Sequence, residues 1–186
     1  MLKHEKILWI TRTALLLSLL IVLQAATIPL GNNIITGSIV NLMLIISVMT
    51  GGLASGITIA VISPVLPTLL GFGPIWPLVP FIAAGNVVLV LLWHVLGNRN
   101  ISGKYVSYII AAVAAAIMKF AVLYFCVVRL AVPVILNLPA QQAKMISYLF
   151  SYPQLITATT GGICAIILLP ILKNALNKSR GPTARD

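Results

Sequence analysis

The sequence has almost no negative charge: of 186 residues only Glu5 and Asp186 are acidic, against 12 lysines and arginines, for a formal net charge of +10. Both acids are terminal, so no carboxylate inside an apolar stretch can relay protons, bind sodium or hold magnesium against a diphosphate. That excludes most carboxylate-driven secondary transport and most prenyl-transfer chemistry. Charge of either sign is scarce as well, at 8% of residues where soluble domains carry roughly a quarter. Histidine is limited to His4 and His94, too far apart in expected depth to form a metal site, and His94 reads as an interfacial residue near the inner end of its helix. Cys126 and Cys164 both fall within apolar runs without zinc or redox spacing, and read as small buried hydrophobes. No nucleophile stands paired with a base, so neither catalytic residues, a metal nor a cofactor is expected. Gly97 to Lys104 has one residue too many between its glycines for a phosphate loop, and Tyr105 stands where Ser or Thr is required. The chain does not hydrolyse ATP, and accumulation against a gradient must draw energy from another protein.

What is present is hydrophobic: 60% of residues, with a mean hydropathy of +1.11. Lipid must solvate most of such a surface. The expected fold class is an all-α membrane protein, with six transmembrane helices in a compact bundle and one integral membrane domain over residues 1–186. The helices are expected at about 7–28, 36–49, 53–70, 77–96, 105–130 and 153–176. They are separated by Pro29 with Gly31-Asn32-Asn33, by Gly51-Gly52, by Gly71-Phe72-Gly73-Pro74 and by the polar link Gly97 to Lys104. The longest connection, about Ala131 to Tyr152, contains a segment, Leu136 to Phe150, suited to a short interfacial helix across the mouth of the bundle. The first run, Ile7 to Ile28, is too long for a secretory h-region and holds Thr11, Arg12 and Thr13 near its start, so it reads as an uncleaved first helix.

Lysine and arginine placement orients the bundle, because cytoplasmic flanks carry the excess. With both termini inside, the inner side holds Lys3, Lys6, Arg12, Arg99, Lys104, Lys173, Lys178, Arg180 and Arg185, and the outer side only Arg129 and Lys144. These charges sit at the ends of apolar runs and not on an interleaved polar face, which argues against nucleic acid as a partner.

Small residues mark close helix approach: Gly52, Gly56 and Ala60 on helix 3, and Ala111-Ala112 with Ala114-Ala115-Ala116 on helix 5. On helix 1, Ala14 and Ser18 form a small pair on a leucine-rich background. It faces either a neighbour within the chain or a separate membrane subunit.

Counting along each helix places the polar residues in depth. Lys119, fourteen residues beyond Tyr105, lies roughly 21 Å above the inner face, and Asn86, nine beyond Pro77, roughly 13 Å below the outer face. Asn41, Ser63, Thr68, Gln154, Thr157 and Thr160 share that outer half. Thr157, Thr160 and Gly161 fall on one helix face and can line a cavity. Lys119 costs about 3 kcal/mol in a membrane segment, and no helix offers an acid to neutralise it. Either its stem snorkels to the outer interface, or Lys119, with Tyr124 and Arg129 further along the same helix, faces a watery cavity that receives an anionic or strongly polar ligand. Pro64 and Pro67 either kink helix 3 or leave carbonyls that a cavity satisfies. The Gly71 to Trp76 loop is either an interfacial aromatic anchor, through Phe72 and Trp76, or a lid.

Four segments, in order, resemble the S components of energy-coupling-factor (ECF) vitamin transporters: Thr11-Arg12-Thr13-Ala14 to Ser18; Thr36-Gly37-Ser38-Ile39-Val40-Asn41; Gly73-Pro74-Ile75-Trp76-Pro77 through Gly85-Asn86; and Ser151-Tyr152-Pro153-Gln154-Leu155 to Gly161-Gly162. The likeness spans nearly the whole chain. It implies a substrate-binding subunit in a bacterial plasma membrane that captures a water-soluble vitamin from outside. Its partners would be a membrane coupling protein and two cytoplasmic ATPases, with docking through an Ala-xxx-Ala patch whose positions here are Ala14 and Ser18. The serine departs from that pattern. Lys119 and Arg129 favour an anionic substrate, and pantothenate, a small hydroxylated carboxylate, fits best; other carboxylate vitamins, riboflavin or a cobalamin-like ligand stay open. A small membrane enzyme and an assembly subunit without a small ligand are the rival readings.

Overall fold

The computed structural model describes residues 2–101 and 103–179. Arg180, Arg185 and Asp186 lie outside the described residues, as do the side chains of Lys3 and His4. All regular structure among the described residues is helical: α1 Leu2–Thr27, α2 Asn33–Gly51, α3 Leu53–Leu69, α4 Val79–Gly97, α5 Lys104–Leu123, α6 Ala140–Leu149 and α7 Tyr152–Ser179. Tight turns at Ile28–Leu30 and Trp76–Leu78 finish α1 and lead into α4, and each contains a proline at an early helical position, where its missing N–H costs nothing. Five of the helical segments are long and apolar enough to cross a membrane, and α3, of 17 residues, is a shorter apolar helix.

Several boundaries differ from the sequence expectation, the first helix among them, which begins at Leu2 and not near Ile7. The second helix begins at Asn33 and not near Thr36, because Asn32 caps it: its side chain accepts a hydrogen bond from the Ile34 amide at 2.9 Å. The fifth runs on past Leu130 as wider π turns from Tyr124 to Ile135, with a five-residue bond from the Leu136 amide to the Ala131 carbonyl at 2.9 Å. The short helix expected within Leu136 to Phe150 is α6.

Packing follows the small residues. α4 lies along α5, α2 along α7, and α5 along α7, while α1 leans on α2 and α3. Leu44, Ile45, Ile59, Val90, Trp93, Ala111, Ala115 and Leu169 are fully or almost fully buried in the shared core. At Gly161 the α2–α7 contact is so close that a Cβ would stand 2.8 Å from both Asn41 Cβ and the Ser38 carbonyl, so only glycine lets the two backbones meet there. A smaller cluster of Leu78, Leu123, Val127 and Ala131 holds the π-helical stretch against Ile146 and Phe150 of the α6 region. Cys126 and Cys164 are half-buried and unpaired, not enclosed in the core as their apolar context suggested.

Candidate functional site

At the end of the bundle away from the chain termini, the helices part around a hollow of about 610 Å³. Gln24 of α1, Thr36 and Asn41 of α2, Ser63 and Pro64 of α3, Ile82 and Asn86 of α4, Lys119 and Leu123 of α5, and Gln154 and Thr157 of α7 line it. Phe72, Gly73, Pro74 and Ile75 cover one side, and Met145, Ile146, Leu149 and Phe150 of the α6 region another. Both covers are apolar with polar groups beneath, a common construction for small-molecule sites.

The loop over the hollow is built by α3. The Pro67 carbonyl accepts from the Phe72 amide at 3.0 Å and the Gly73 amide at 2.9 Å, and Thr68 Oγ1 donates to the Pro74 carbonyl at 2.9 Å. A Cβ at Gly73 would lie 2.3 Å from the Thr68 nitrogen, so the fold of this loop needs glycine. Of the two readings of the loop, its first residues cover the hollow, whereas Trp76 points away and is 54% exposed.

Lys119 organises the floor. Its side chain is buried and its ammonium donates to Asn41 Oδ1 at 2.5 Å and Asn86 Oδ1 at 2.7 Å, so the stem does not climb toward the outer interface. An ammonium only donates, which forces both amides to turn their oxygens to it and their NH2 groups away. Asn41 Nδ2 then donates to Thr157 Oγ1 at 3.2 Å, and the Thr157 hydroxyl in turn donates to the Gln154 carbonyl at 3.1 Å. Asn86 Nδ2 donates to Ser63 Oγ at 3.2 Å and to the Ala60 carbonyl at 3.4 Å. That carbonyl lacks its helical donor because the residue four further on is Pro64, which has no N–H to return, and the Ser63 hydroxyl also donates to it at 3.3 Å. The sequence offers no acid to neutralise Lys119; the structure sets two neutral amide oxygens against it, which satisfy two donors and add no opposite charge.

Of the residues expected at a site, Asn41, Ser63, Asn86, Lys119, Gln154 and Thr157 line one hollow. Five others stand outside its lining. Thr68 is used up holding the covering loop, and Trp76 faces outward. Arg129 is exposed and lies 5.6 Å over the Tyr124 ring, which itself stacks on Phe120, so both belong to the outer side of α5 and its continuation. The π turns between Lys119 and Arg129 change the rotation per residue, so a face extrapolated with ordinary helical spacing is lost. Thr160 is exposed, because Gly161 takes the contact with α2 and turns its neighbour out. Gln24 was missed, although it interrupts the apolar run of α1 in the half nearer the hollow and a depth count applied to that helix finds it. Ala14 and Ser18 are both exposed, which removes an intrachain neighbour as the explanation of that small pair.

A helical bundle suited to lipid, with a solute-sized hollow at one end and a single ammonium in its lining, defines a multi-pass membrane protein of the solute-handling class. Residues 9–173 match the family model described as ECF transporter, substrate-specific component, and the chain belongs to that family. It is thus a transport subunit and not an enzyme, the substrate-specific part of an ECF importer, and the family implies a vitamin-type substrate, a coupling protein and ATPase partners. No curated protein and no solved structure matches the chain significantly.

Proposed function

We propose that the hollow captures a small, water-soluble vitamin bearing one negative charge, pantothenate-like in chemistry, and that the chain hands it on with a membrane coupling protein and two cytoplasmic ATPases. In this reading the chain is one membrane domain of six crossings in a bacterial plasma membrane, with both termini cytoplasmic and the hollow open outward. The charge distribution supports the orientation: Lys6, Arg12, Arg99, Lys104, Lys173 and Lys178 belong to the end of the bundle that carries the termini, and Arg129 and Lys144 to the end with the hollow.

The observation that carries the reading is Lys119. Its ammonium is buried, hydrogen-bonded to neutral groups alone, and in the lining of a hollow large enough for a vitamin. Charge held in a low-dielectric site without an opposite charge attracts an anion strongly. Asn41, Ser63, Asn86, Gln154 and Thr157 are the residues that hold or surround it.

Titration of the purified chain in lipid nanodiscs against a panel of vitamins, read by thermal shift, tests the proposal. At least one anionic vitamin should raise the melting temperature, and Lys119→Met should abolish that shift while the variant still unfolds cooperatively. Full affinity in Lys119→Met would refute the assignment. A scaffold without a small ligand would show no shift with any member of the panel.

A further inference from the structure

Among the described residues, Gln24 Oε1 is the one buried side-chain polar atom without a hydrogen-bond partner, and Gln24 lines the hollow. Buried carbonyl oxygens are nearly always paired, so an orphan of this kind calls for an explanation. The contrast with its surroundings is sharp: the amides of Asn41 and Asn86 and the hydroxyls of Ser63 and Thr157 are all engaged with one another or with Lys119. Nor is Gln24 on a loose end. Thr27 Oγ1 bonds the Leu23 and Gln24 carbonyls at 3.0 Å each, and Thr36 of α2 donates to Thr27 Oγ1 at 2.9 Å, tying the last turn of α1 to the rim of the hollow.

We infer that Gln24 is a specificity-determining residue: its Oε1, unpaired and closed to water where it stands, turns into the hollow to accept a hydrogen bond from a hydroxyl or N–H group of the same solute that sets its single negative charge against Lys119. This rests on the reading of the hollow as the substrate site. Two features define the ligand class. Lys119 is the only charged side chain among the described residues lining the hollow, so one negative charge is matched, whereas a phosphate monoester, with about −1.5 to −2 at neutral pH, brings excess charge into an apolar site. The oxygen of Gln24 in turn needs a donor, and a ligand that offers none leaves it unpaired and loses affinity. The favoured substrate is therefore a monocarboxylate with a hydroxyl or amide N–H, and carboxylates without donors, phosphorylated vitamins and cations are disfavoured.

The test uses the full chain in nanodiscs with D-pantothenate and biotin, each a monocarboxylate with donors, against nicotinate, pyridoxal 5′-phosphate and thiamine. Pantothenate or biotin should bind most tightly. Gln24→Met should weaken that binding about tenfold, the loss of one hydrogen bond, and leave the melting temperature of the ligand-free protein unchanged or raised, since the substitution removes an unpaired oxygen. Tightest binding of nicotinate, pyridoxal 5′-phosphate or thiamine overturns the inference without any variant. Wild-type affinity in Gln24→Met, with Lys119→Met still abolishing binding, overturns the role of Gln24 and leaves the proposed function standing. If no compound binds, both readings fall.

Discussion

Pro64 and Asn86, on neighbouring helices, are coupled through one carbonyl: the proline withholds the amide that would have paired with the Ala60 oxygen, and Asn86 Nδ2 at 3.4 Å and the Ser63 hydroxyl at 3.3 Å donate to it instead. With its NH2 anchored to α3, the Asn86 side chain presents its oxygen to Lys119. A helix-breaking residue thus orients a side chain of the candidate site through the carbonyl it leaves without a helical donor.

Pro64→Ala restores the helical amide, and a proline in a helix interior costs about 3 kcal/mol relative to alanine, so the variant should melt at the same or a higher temperature. The Ala60 oxygen then returns to its own helix, and Asn86 keeps only Ser63 as an anchor. Affinity for the bound vitamin should fall about fivefold, the equivalent of roughly 1 kcal/mol. Calorimetric titration beside a melting curve separates the two effects; a parallel loss of stability and binding would mean that the proline serves packing alone.

Asn41→Asp places a carboxylate where an amide oxygen now receives the Lys119 ammonium at 2.5 Å. Thr157 can reverse its hydroxyl and donate to the new oxygen, so the substitution leaves no donor stranded. An internal ion pair, worth about 4 kcal/mol at 4 Å with an effective dielectric constant of 20, cancels the charge offered to an anion. Binding of an anionic vitamin should drop at least about a hundredfold, or roughly 2.7 kcal/mol, while the folded protein persists. Undiminished affinity would show that the charge of Lys119 plays no part in recognition.

Which parts of this arrangement are legible in sequence follows from how lipid constrains a chain. Membrane crossings demand long apolar runs, so the helices could be read directly, and a polar residue within such a run stands out, as Asn41, Asn86 and Lys119 did. Depth along a helix can be counted; direction around it cannot once the spacing changes, which is why Tyr124 and Arg129, on the π-helical continuation of α5, stand outside the lining of the hollow. Thr160 shows a related limit. Its spacing from Thr157 is compatible with one face, yet the close approach at Gly161 fixes a rotation of α7 that leaves Thr160 exposed. The capping by Asn32 depends on local backbone geometry of which hydropathy carries no trace; the carbonyl freed by Pro64 is legible from the proline itself, but its partner Asn86 is not.

Gly73→Ala tests the covering loop. The added methyl would meet the Thr68 nitrogen at 2.3 Å and the Pro67 carbonyl carbon at 2.6 Å, both backbone atoms that cannot swing aside. The loop must lift, breaking the bond from Thr68 Oγ1 to the Pro74 carbonyl and opening the side of the hollow next to Phe72. The bundle should survive, because this loop lies outside both buried hydrophobic clusters. Dissociation of a bound vitamin should accelerate about tenfold or more, since most such changes in affinity fall on the off-rate. Stopped-flow tryptophan fluorescence can follow it, with exposed Trp76 at the edge of the loop as a reporter; an unchanged off-rate would rule out the loop as a barrier to release.

Ala14 and Ser18 provide the remaining prediction, and the rotation of α1 supports it. Thr13 turns inward and shares a hydrogen bond of 2.7 Å with Ser55 of α3, which fixes the helix so that Ala14 and Ser18, four residues apart, lie on its open side. Leu15 and Val22, 65% and 62% exposed, are longer neighbours along the helix, and side chains as short as those of Ala14 and Ser18 leave a notch beside them. In a membrane, where tails of lipid are as apolar as leucine, such a notch favours a second helix because it allows close van der Waals contact. Ala14→Trp or Ser18→Trp fills the notch and should abolish co-purification with the coupling protein and vitamin uptake in cells, while the isolated subunit keeps its affinity for the vitamin. Loss of affinity in the isolated variants would mean that the tryptophan disturbs the bundle itself, and uptake at the normal rate would place the docking contact on another face.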